Sequence, residues 1–398
     1  MSTAHKIPAD AHETEAPDYR SIALLSGCHF SDDLNQGVVP AMLPFFITAY
    51  HLSYAAAAGL VLAQTLFSSV AQPLFGLLAD RRPSPWLIPI GLSFAGLGVA
   101  LTGLTHTYDL IFGAIAVSGM GISAFHPEAA RRVRYLGGVR AATSMSLFTV
   151  GGMAGFAAGP LLITPTLIAF GTRGAMLLAL PVVIMSLAVT WQLPRIAAQR
   201  TPPRHQATHS SFVNGREQWG AFARLTIVVM LRSIVFFGLN TFIPLYWSHV
   251  LQGSKAGGGY ALATMLSAVV TGTLIGGRMA DRYGRKVVVV VSLAALTPLL
   301  FVFLGAHGLM AAGVLLIPVG LALAASTSVV VVMAQEYLPD RIGLAAGVTL
   351  GLSMTVGGLL MPAFGAIADH YGLRMSMTLL ALVPALGFVM SLTLHEPS

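Results

Sequence analysis

A short basic stretch, Gly277-Arg278-Met279-Ala280-Asp281-Arg282-Tyr283-Gly284-Arg285-Lys286, joins the apolar runs 258–279 and 287–304. Each run is close to the roughly 20 helical residues that cross the hydrocarbon core of a bilayer. Neither run alternates apolar and polar residues, as the strands of about 10 residues in a membrane barrel do. The stretch is therefore predicted to be a hairpin loop between two transmembrane helices.

The whole chain has the composition of a polytopic membrane protein. Its 398 residues are 55% hydrophobic and only 9% charged, whereas about 25% of the residues of an ordinary soluble domain are charged. A soluble protein of this length needs more charge to cover its surface, and a disordered chain is far less apolar. The net charge of +7 is spread over short loops rather than gathered on one face, which argues against nucleic-acid binding.

Twelve apolar runs are predicted to be membrane-spanning helices: 21–49, 53–79, 86–104, 109–130, 141–170, 175–192, 221–249, 258–279, 287–304, 308–336, 343–368 and 374–394. An even number of spans puts both termini on one side of the membrane. If that side is the cytoplasm, 18 of the 22 Lys and Arg residues lie in cytoplasmic loops or at their edges. The positive-inside rule then predicts a multi-pass protein of the inner membrane with both termini cytoplasmic.

The chain is predicted to contain two similar halves. The predicted regions are a cytoplasmic tail at 1–20, a six-helix bundle at 21–192, a polar cytoplasmic linker at 193–220, a second six-helix bundle at 221–394 and a tail at 395–398. The tail at 1–20 lacks the basic-then-apolar order of a signal peptide. Three features recur at offsets of 200 to 206 residues, namely Gly76-x-x-x-Asp80-Arg81 with Gly277-x-x-x-Asp281-Arg282, Pro44 with Pro244, and Thr149–Gly152 with Thr355–Gly358. Internal repeats of this kind are typical of secondary transporters.

The loop at 277–286 resembles the signature G-x-x-x-D-R-x-G-R-K of the major facilitator superfamily, at the place of its second copy. The first copy, at 76–82, keeps Gly, Asp and Arg and then departs from the pattern. Nearly the whole chain also resembles the fosmidomycin resistance protein family, through His29, Asp33, Asp80–Trp86, Phe125–Glu128, Gly151-Gly152 and Gly159–Leu162. The resemblance implies an all-α transporter of two pseudo-symmetric six-helix bundles, monomeric, without a cofactor, and not an enzyme.

The two signature loops are predicted to be a conformational latch, formed by Gly76, Asp80, Arg81, Gly277, Asp281, Arg282 and Arg285. A glycine lets helix backbones approach closely in lipid. An aspartate can lie at the positive N-terminus of a neighbouring helix, and the resemblance implies that such a contact favours one conformation. The alternative is a short basic loop that serves topology alone.

Five ionisable residues lie inside spans or near their inner ends: Asp32, Asp33, Glu128, Arg232 and Glu336. A charge at the centre of a bilayer costs about 3 kcal/mol even on the lenient insertion scale, so it marks a functional site by default. These residues fall on spans one, four, seven and ten, which the resemblance implies line the central cavity. Asp32 and Asp33 lie about 18–20 Å into a straight helix, which is near the middle of the membrane.

The predicted proton-coupling residues are Asp32, Asp33, His29, His126, Glu128 and Glu336. His29 precedes the two aspartates by three and four residues, so it shares a helix face with them. For Asp32 and Asp33 the alternative is structural pairing without proton exchange. For Glu128, after a proline expected to kink span four, and for Glu336, near Arg341, the alternative is a structural salt bridge. Metal binding by His29, His126 and the acids is a minor alternative. No metal site is predicted, because the ligand spacing along the chain is not compact.

Arg232, together with Gln36 and Asn240, is predicted to bind an acidic substrate. Gly155, Gly159 and Pro160 resemble a motif of proton-coupled exporters, although Ile163-Thr164 replaces its Gly-Gly ending. Glycines at four-residue spacing in spans five, eight and eleven are predicted to lie where the two halves slide against each other; ordinary helix packing is the alternative.

The sequence therefore predicts a proton-coupled exporter of small, anionic or amphipathic molecules, its partners being that substrate, protons and the lipid bilayer. The alternative is a symporter that imports a metabolite, since the same cavity chemistry serves both directions. A membrane enzyme or sensor is disfavoured, because nothing in the sequence resembles a nucleophile with its base or a nucleotide loop.

Overall fold

The structure is a computed structural model that describes residues 16–81, 84–198, 217–341, 344–345 and 347–396. Its α-helices are α1 (Tyr19–Tyr50), α2 (Tyr54–Arg81), α3 (Leu87–Leu101), α4 (Tyr108–Leu136), α5 (Ala141–Phe170), α6 (Ala179–Ala198), α7 (Trp219–His249), α8 (Lys255–Tyr283), α9 (Arg285–Leu304), α10 (Leu309–Ala325), α11 (Thr327–Tyr337), α12 (Ser353–Leu359), α13 (Met361–Tyr371) and α14 (Leu373–Leu392). Single 3₁₀ segments cover Gly138–Arg140, Gly171–Leu178 and Pro339–Arg341, and a π-helical turn covers Gly347–Leu352. These described ranges contain no β-strand.

The helices make twelve passes. Nine segments of the described chain are long and apolar enough to cross a membrane, and one of them, Thr143–Ala198, contains both α5 and α6. Helix α3 is a shorter apolar helix, and α1 has 32 residues, or about 48 Å at 1.5 Å per residue. Helices α10 and α11 form one pass, and the π-helical turn with α12 and α13 forms another. The all-helical fold predicted from the sequence is confirmed.

Two groups of six passes pack side by side. In the first, α1 packs along α5 and α2 along α4; in the second, α7 packs along α14 and α8 along α10. The groups meet where α5 contacts α8 and where α2 contacts α12 and α13, and α1 also contacts α7. Large apolar side chains such as Leu74, Leu187 and Met310 are exposed on the outer surface, as expected where lipid takes the place of water.

The described ends of both groups lie on one face of the bundle, which we call the terminal face. There Asp18 pairs with Arg195 at 2.9 Å, and the Gln218 backbone N–H donates to the Tyr337 carbonyl at 2.8 Å. The opposite face carries the turns after α1 and α3, where the Tyr50 hydroxyl donates to the Thr105 carbonyl at 3.1 Å.

Several predicted boundaries need correction. Helix α6 continues to Ala198, past the predicted start of the linker at 193, because Leu193–Ala198 still packs on the first bundle: the Ile196 carbonyl accepts from Arg132 at 3.4 Å. The remainder of the linker at 199–216 lies outside the described residues. The predicted span 308–336 is two helices, since Ser326 turns between α10 and α11 with φ −87° and ψ −3°. Pro127 does not interrupt α4.

Candidate functional site

Four predicted residues form one group, which we call the His–Asp cluster: His29, Asp32 and Asp33 on α1, and His126 on α4. His29 Nε2 lies 3.2 Å from Asp33 Oδ2, and His126 Nε2 lies 3.3 Å from Asp33 Oδ1. His126 Nδ1 lies 3.3 Å from Asp32 Oδ2. The spacing of three and four residues on α1 puts the acids and His29 on one face, and α4 supplies the second imidazole.

Backbone carbonyls fix both imidazole rings. His29 Nδ1 donates to the Phe148 carbonyl at 2.8 Å, and His126 Nδ1 donates to the Ile122 carbonyl at 2.9 Å. A carbonyl oxygen only accepts, so each Nδ1 carries the hydrogen and each neutral ring keeps a lone pair on Nε2. The two Nε2 atoms face each other at 3.2 Å. The space between them therefore suits a cation.

The negative charges of Asp32 and Asp33 are not balanced by a Lys or Arg side chain among the described residues. Asp32 is fully buried, and neither of its carboxylate oxygens has a hydrogen-bond partner. In the described part of the chain, the ion-pair partners of Asp32 and Asp33 are His29 and His126, with no Lys or Arg among them. A buried carboxylate is stable only when it is paired or neutralised. The two acids therefore have to be neutralised, by protons or by a bound cation.

Gly152 on α5 provides the room for this arrangement. A Cβ at this position would overlap Asp33 Oδ2 and His29 Nε2. The neighbouring Gly151 is equally close to α1, because its Cβ would lie 2.5 Å from the Ser26 carbonyl oxygen. Helix α5 therefore closes one side of the cluster with bare backbone.

The glycines of span five contact α1 of their own half, not the other half as the sequence predicted. A Cβ at Gly155 would overlap the Phe30 carbonyl, and one at Gly159 would lie 2.8 Å from Gly37. Pro160 is buried beside them. The close contacts between halves use other glycines: Gly259 faces Thr164, Gly358 faces Thr65, and Gly365 faces Ala55. Four-residue spacing identifies a close crossing but not the helix that is crossed.

Glu128 and Glu336 lie in separate salt bridges rather than in the cluster. Glu128 is fully buried and accepts from Arg131 at 2.6 Å and from Arg132 at 2.8 Å. Glu336 pairs with Arg285 of the signature loop. The expected neighbour Arg341 instead pairs with Glu217 at 3.0 Å, because the 3₁₀ turn after α11 carries it towards the start of α7. Both acids therefore have the geometry of a structural salt bridge, which was the alternative to a role in proton coupling.

Arg232 makes its hydrogen bond to a residue outside the His–Asp cluster. Its Nη1 donates to Thr327 Oγ1 at 2.9 Å, and its buried Nε has no partner. Among the described residues, no carboxylate is in ion-pair contact with it. Asn240 donates to the Phe236 carbonyl at 2.8 Å, while its Oδ1 is buried without a partner. Gln36 is half-buried on α1.

The signature loop forms a tight helix hairpin on the terminal face. Gly284 ends α8 and begins α9 with φ +92°, a conformation that favours glycine. Asp281 is exposed, as is Arg282, so the expected contact of this carboxylate with a helix N-terminus is not formed. Gly277 leaves Ser328 Oγ 3.7 Å from its Cβ position, and Gly76 leaves Pro127 at 3.9 Å. Arg81 is exposed, and the Asp80 side chain lies outside the described residues.

Asp369 forms a contact between the halves that was not predicted from the sequence. Its carboxylate accepts from the backbone N–H of Tyr54 at 2.7 Å and of Ala55 at 2.9 Å, so α13 of one half caps α2 of the other. The signal was present, since Gly365-x-x-x-Asp369-x-x-Gly372 repeats the spacing of the signature loop. Gly372 also repeats its hairpin geometry, with φ +84° and ψ 153° against φ +92° and ψ 150° at Gly284.

Twelve passes in two groups of six, with buried acids and imidazoles between the helices, have the architecture of a membrane transporter. A family model of the Major Facilitator Superfamily matches residues 25–350 and 225–398, and the chain belongs to that superfamily. It is therefore a multi-pass membrane transporter and not an enzyme.

Two relatives are similar along nearly their whole length. The fosmidomycin resistance protein of Escherichia coli (strain K12) is 29% identical over 373 residues, which cover 92% of this chain and 91% of the relative. The uncharacterized MFS-type transporter YfnC of Bacillus subtilis (strain 168) is 29% identical over 378 residues, which cover 93% and 92%. The family resemblance of the sequence is thereby confirmed.

Solved structures share the fold at low sequence identity. A bacterial homolog to the human lysosomal transporter Spinster, in an inward-facing and occupied conformation, has a TM-score of 0.79 at 15% identity and covers 95% of this chain and 97% of its own. A mutant form of the nucleoside transporter NupG has a TM-score of 0.76 at 14% identity, with coverage of 93% and 98%.

Proposed function

We propose that the protein is a proton-coupled antiporter that exports a small anionic or drug-like molecule by alternating access of its two halves. It works as a monomer in the inner membrane, with the terminal face in the cytoplasm. The observation that carries the coupling is the His–Asp cluster, where the two carboxylates have imidazoles as their ion-pair partners within the described ranges. A proton is the simplest exchangeable cation that such a site accepts.

The cluster lies where coupling is effective. It sits between α1, α4 and α5 of the first half, and α1 also contacts α7 of the second. A cation that enters or leaves changes the net charge of helices that have to move. Differential binding of that cation to the two conformations links its movement to the conformational change.

Arg232 supports the choice of an anionic substrate. Among the described residues, its guanidinium is held by Thr327, and a buried charge without an ionic partner is costly unless a ligand completes it. The E. coli relative is a fosmidomycin resistance protein, which favours export of a small toxic molecule. Glu128 and Glu336 are occupied in salt bridges, so we assign the proton to the His–Asp cluster.

The test is substrate-driven proton flux in proteoliposomes that contain a pH-sensitive dye. We expect flux with the wild-type protein and with Asp109→Asn, an exposed acid at the start of α4. A variant with Asp32→Asn and Asp33→Asn should show no substrate-driven flux. Flux at the wild-type rate in this double variant excludes the cluster as the proton carrier.

Import by proton symport is the second candidate, since the cavity chemistry does not fix the direction. Vesicles of opposite orientation separate the two. Accumulation in inside-out vesicles that an uncoupler abolishes is expected for export, whereas accumulation only in right-side-out vesicles identifies import.

A further inference from the structure

We propose that the His–Asp cluster is also a binding site for a divalent transition-metal ion of the Zn²⁺ class, held by His29 Nε2, His126 Nε2 and the Asp33 carboxylate. This goes beyond the proposed function, because the ion need not be the substrate or be transported. The sequence predicted no metal site, since two ligands are four residues apart on α1 and the third follows on α4 after another 93 residues. Folding brings the three together, with their ligand atoms within 4.8 Å of one another.

The separations of the ligand atoms fit a tetrahedral ion. His29 Nε2 and His126 Nε2 are 3.2 Å apart, and each is 3.2 or 3.3 Å from an oxygen of Asp33. Bonds of about 2.0 Å to zinc, arranged as a tetrahedron, put neighbouring ligand atoms about 3.3 Å apart. An ion between the rings therefore reaches all three ligands with little movement of the side chains.

The protonation of the rings also fits a metal. Both Nδ1 atoms donate to backbone carbonyls, so both Nε2 atoms offer their lone pairs to the same point. This is the outer-shell pattern that orients histidine ligands in metal sites. Without a cation, two lone pairs face each other at 3.2 Å, which is electrostatically unfavourable.

Asp32 acquires a role in this arrangement. Its carboxylate lies 3.3 Å from His126 Nδ1, on the side of the ring away from Asp33, and has no hydrogen-bond partner of its own. The Nδ1 hydrogen is donated to the Ile122 carbonyl, so Asp32 acts on His126 through its negative charge, which favours a cation on the imidazole. Asp32 therefore supports the site through its charge and is not a direct ligand.

The site is open on one side. The side chains of His29, Asp33 and His126 are 9%, 15% and 23% exposed, whereas Gly152 of α5 closes the other side. Three protein ligands with a free fourth position are typical of exchangeable zinc rather than of structural zinc, which has four protein ligands. We expect water or a substrate oxygen in the fourth position.

The test uses full-length protein without a polyhistidine tag, in lipid nanodiscs, with Co²⁺ as a spectroscopic substitute for Zn²⁺. We expect one tightly bound Co²⁺ per chain, with the intense visible absorption of tetrahedral coordination, and its loss when Zn²⁺ is added. His126→Gln and Asp33→Asn should abolish this spectrum. Asp32→Asn should weaken binding by about 10- to 100-fold, as outer-shell changes do.

Gly152→Ala provides a variant that keeps every ligand. We expect it to weaken Co²⁺ binding at least as much as Asp32→Asn, because its Cβ occupies the position of the ligand atoms. Gly113→Ala is the matched control, since nothing lies within 4 Å of its Cβ, and His249→Gln controls for binding to other histidines. Binding that is equal in His126→Gln, Gly152→Ala and wild type overturns the proposal.

A measurement on the wild type alone does not depend on the folding of variants. X-ray absorption of the Zn²⁺-loaded protein should show two imidazole nitrogens and a carboxylate oxygen in a four-coordinate shell. A shell of six oxygens overturns the proposal. Metal binding is measured here without substrate or gradient, so its failure leaves the proton-flux experiment unaffected, and the reverse also holds.

Discussion

At the scale of single residues, buried charges in this protein fall into two kinds. Glu128 is compensated by two arginines on its own helix, Arg131 and Arg132. The aspartates of the His–Asp cluster pair, in the part of the chain that the structure describes, with imidazoles, whose charge depends on protonation. A fixed pair stabilises one structure, whereas a pair with a variable charge responds to its surroundings. The first kind supports the fold and the second kind is suited to coupling.

Glu128→Gln should destabilise the protein strongly. The change leaves Arg132 buried without its carboxylate, and breaking a buried pair in this way costs about 3–5 kcal/mol. Arg195→Gln is the matched control, because its pair with Asp18 is half-exposed and worth about 1 kcal/mol or less. Thermal unfolding in nanodiscs measures both. Equal shifts for the two variants would contradict the assignment of Glu128 to the fold.

At the scale of helices and turns, two hairpins of the same geometry lie on opposite faces. The hairpin at Gly284 leaves Asp281 exposed on the terminal face. The hairpin at Gly372 places Asp369 on the first turn of α2. An aspartate that accepts from the free N–H groups of a helix N-terminus stabilises it through hydrogen bonds and the helix dipole. The halves are thus joined by this contact on the opposite face.

Asp369→Ala should loosen that contact between the halves. Loss of a helix cap costs about 0.5–2 kcal/mol, so the population with separated halves should rise by about 2- to 30-fold. Spin labels at Thr107 and Tyr371, both exposed, measure the separation on the opposite face. Asp340→Ala, an exposed acid on the terminal face, is the control. An unchanged distance distribution in Asp369→Ala would show that the cap does not hold the halves together.

At the scale of the whole molecule, the proposed cation site and the proposed anion site belong to different halves. The His–Asp cluster lies on α1 and α4, and Arg232 lies on α7, bonded to Thr327. Contact between α1 and α7 puts both sites near the junction of the halves. The opposite charges are not in ion-pair contact among the described residues. A charge interaction between helices is stronger than in bulk water, because the surroundings have a low dielectric constant.

Asp32 or Asp33 should therefore be coupled to Arg232. A double-mutant cycle with Arg232→Gln, Asp32→Asn and Asp33→Asn, scored by substrate binding at several pH values, measures this coupling. Independent sites depart from additivity by about 0.3–0.5 kcal/mol. We expect a coupling energy larger than this at a pH where the acid is charged. Additive effects for both pairs at every pH would leave Arg232 a role in charge balance alone.

The fold was predictable because each pass is encoded locally. Apolar runs of about 20 residues mark transmembrane helices whatever their neighbours are, and the signature loop at 277–286 adds a family. Breaks inside a pass were not predictable in this way. Ser326 divides α10 from α11 within an apolar stretch that carries no proline or glycine at the break.

The site was predictable only in part, because its contacts join distant helices. His29 and the two aspartates share a helix face, which spacing reveals. That His126 comes to within 3.3 Å of Asp33 depends on how α4 packs on α1. The partner of Glu336 was misjudged for the same reason: Arg341 is close in sequence, whereas Arg285 is close in space.

Gly152 has a mechanical consequence for α5. At Gly152, bare backbone of α5 lies against the cluster. Twelve residues further along the helix, or about 18 Å, Thr164 faces Gly259 of the other half. No side chain at position 152 is available to rotate aside when the size of the group between the imidazoles changes. Close-packed backbone is stiff and transmits small displacements, so α5 itself has to shift. A change in what the cluster binds then moves the contact between α5 and the other half.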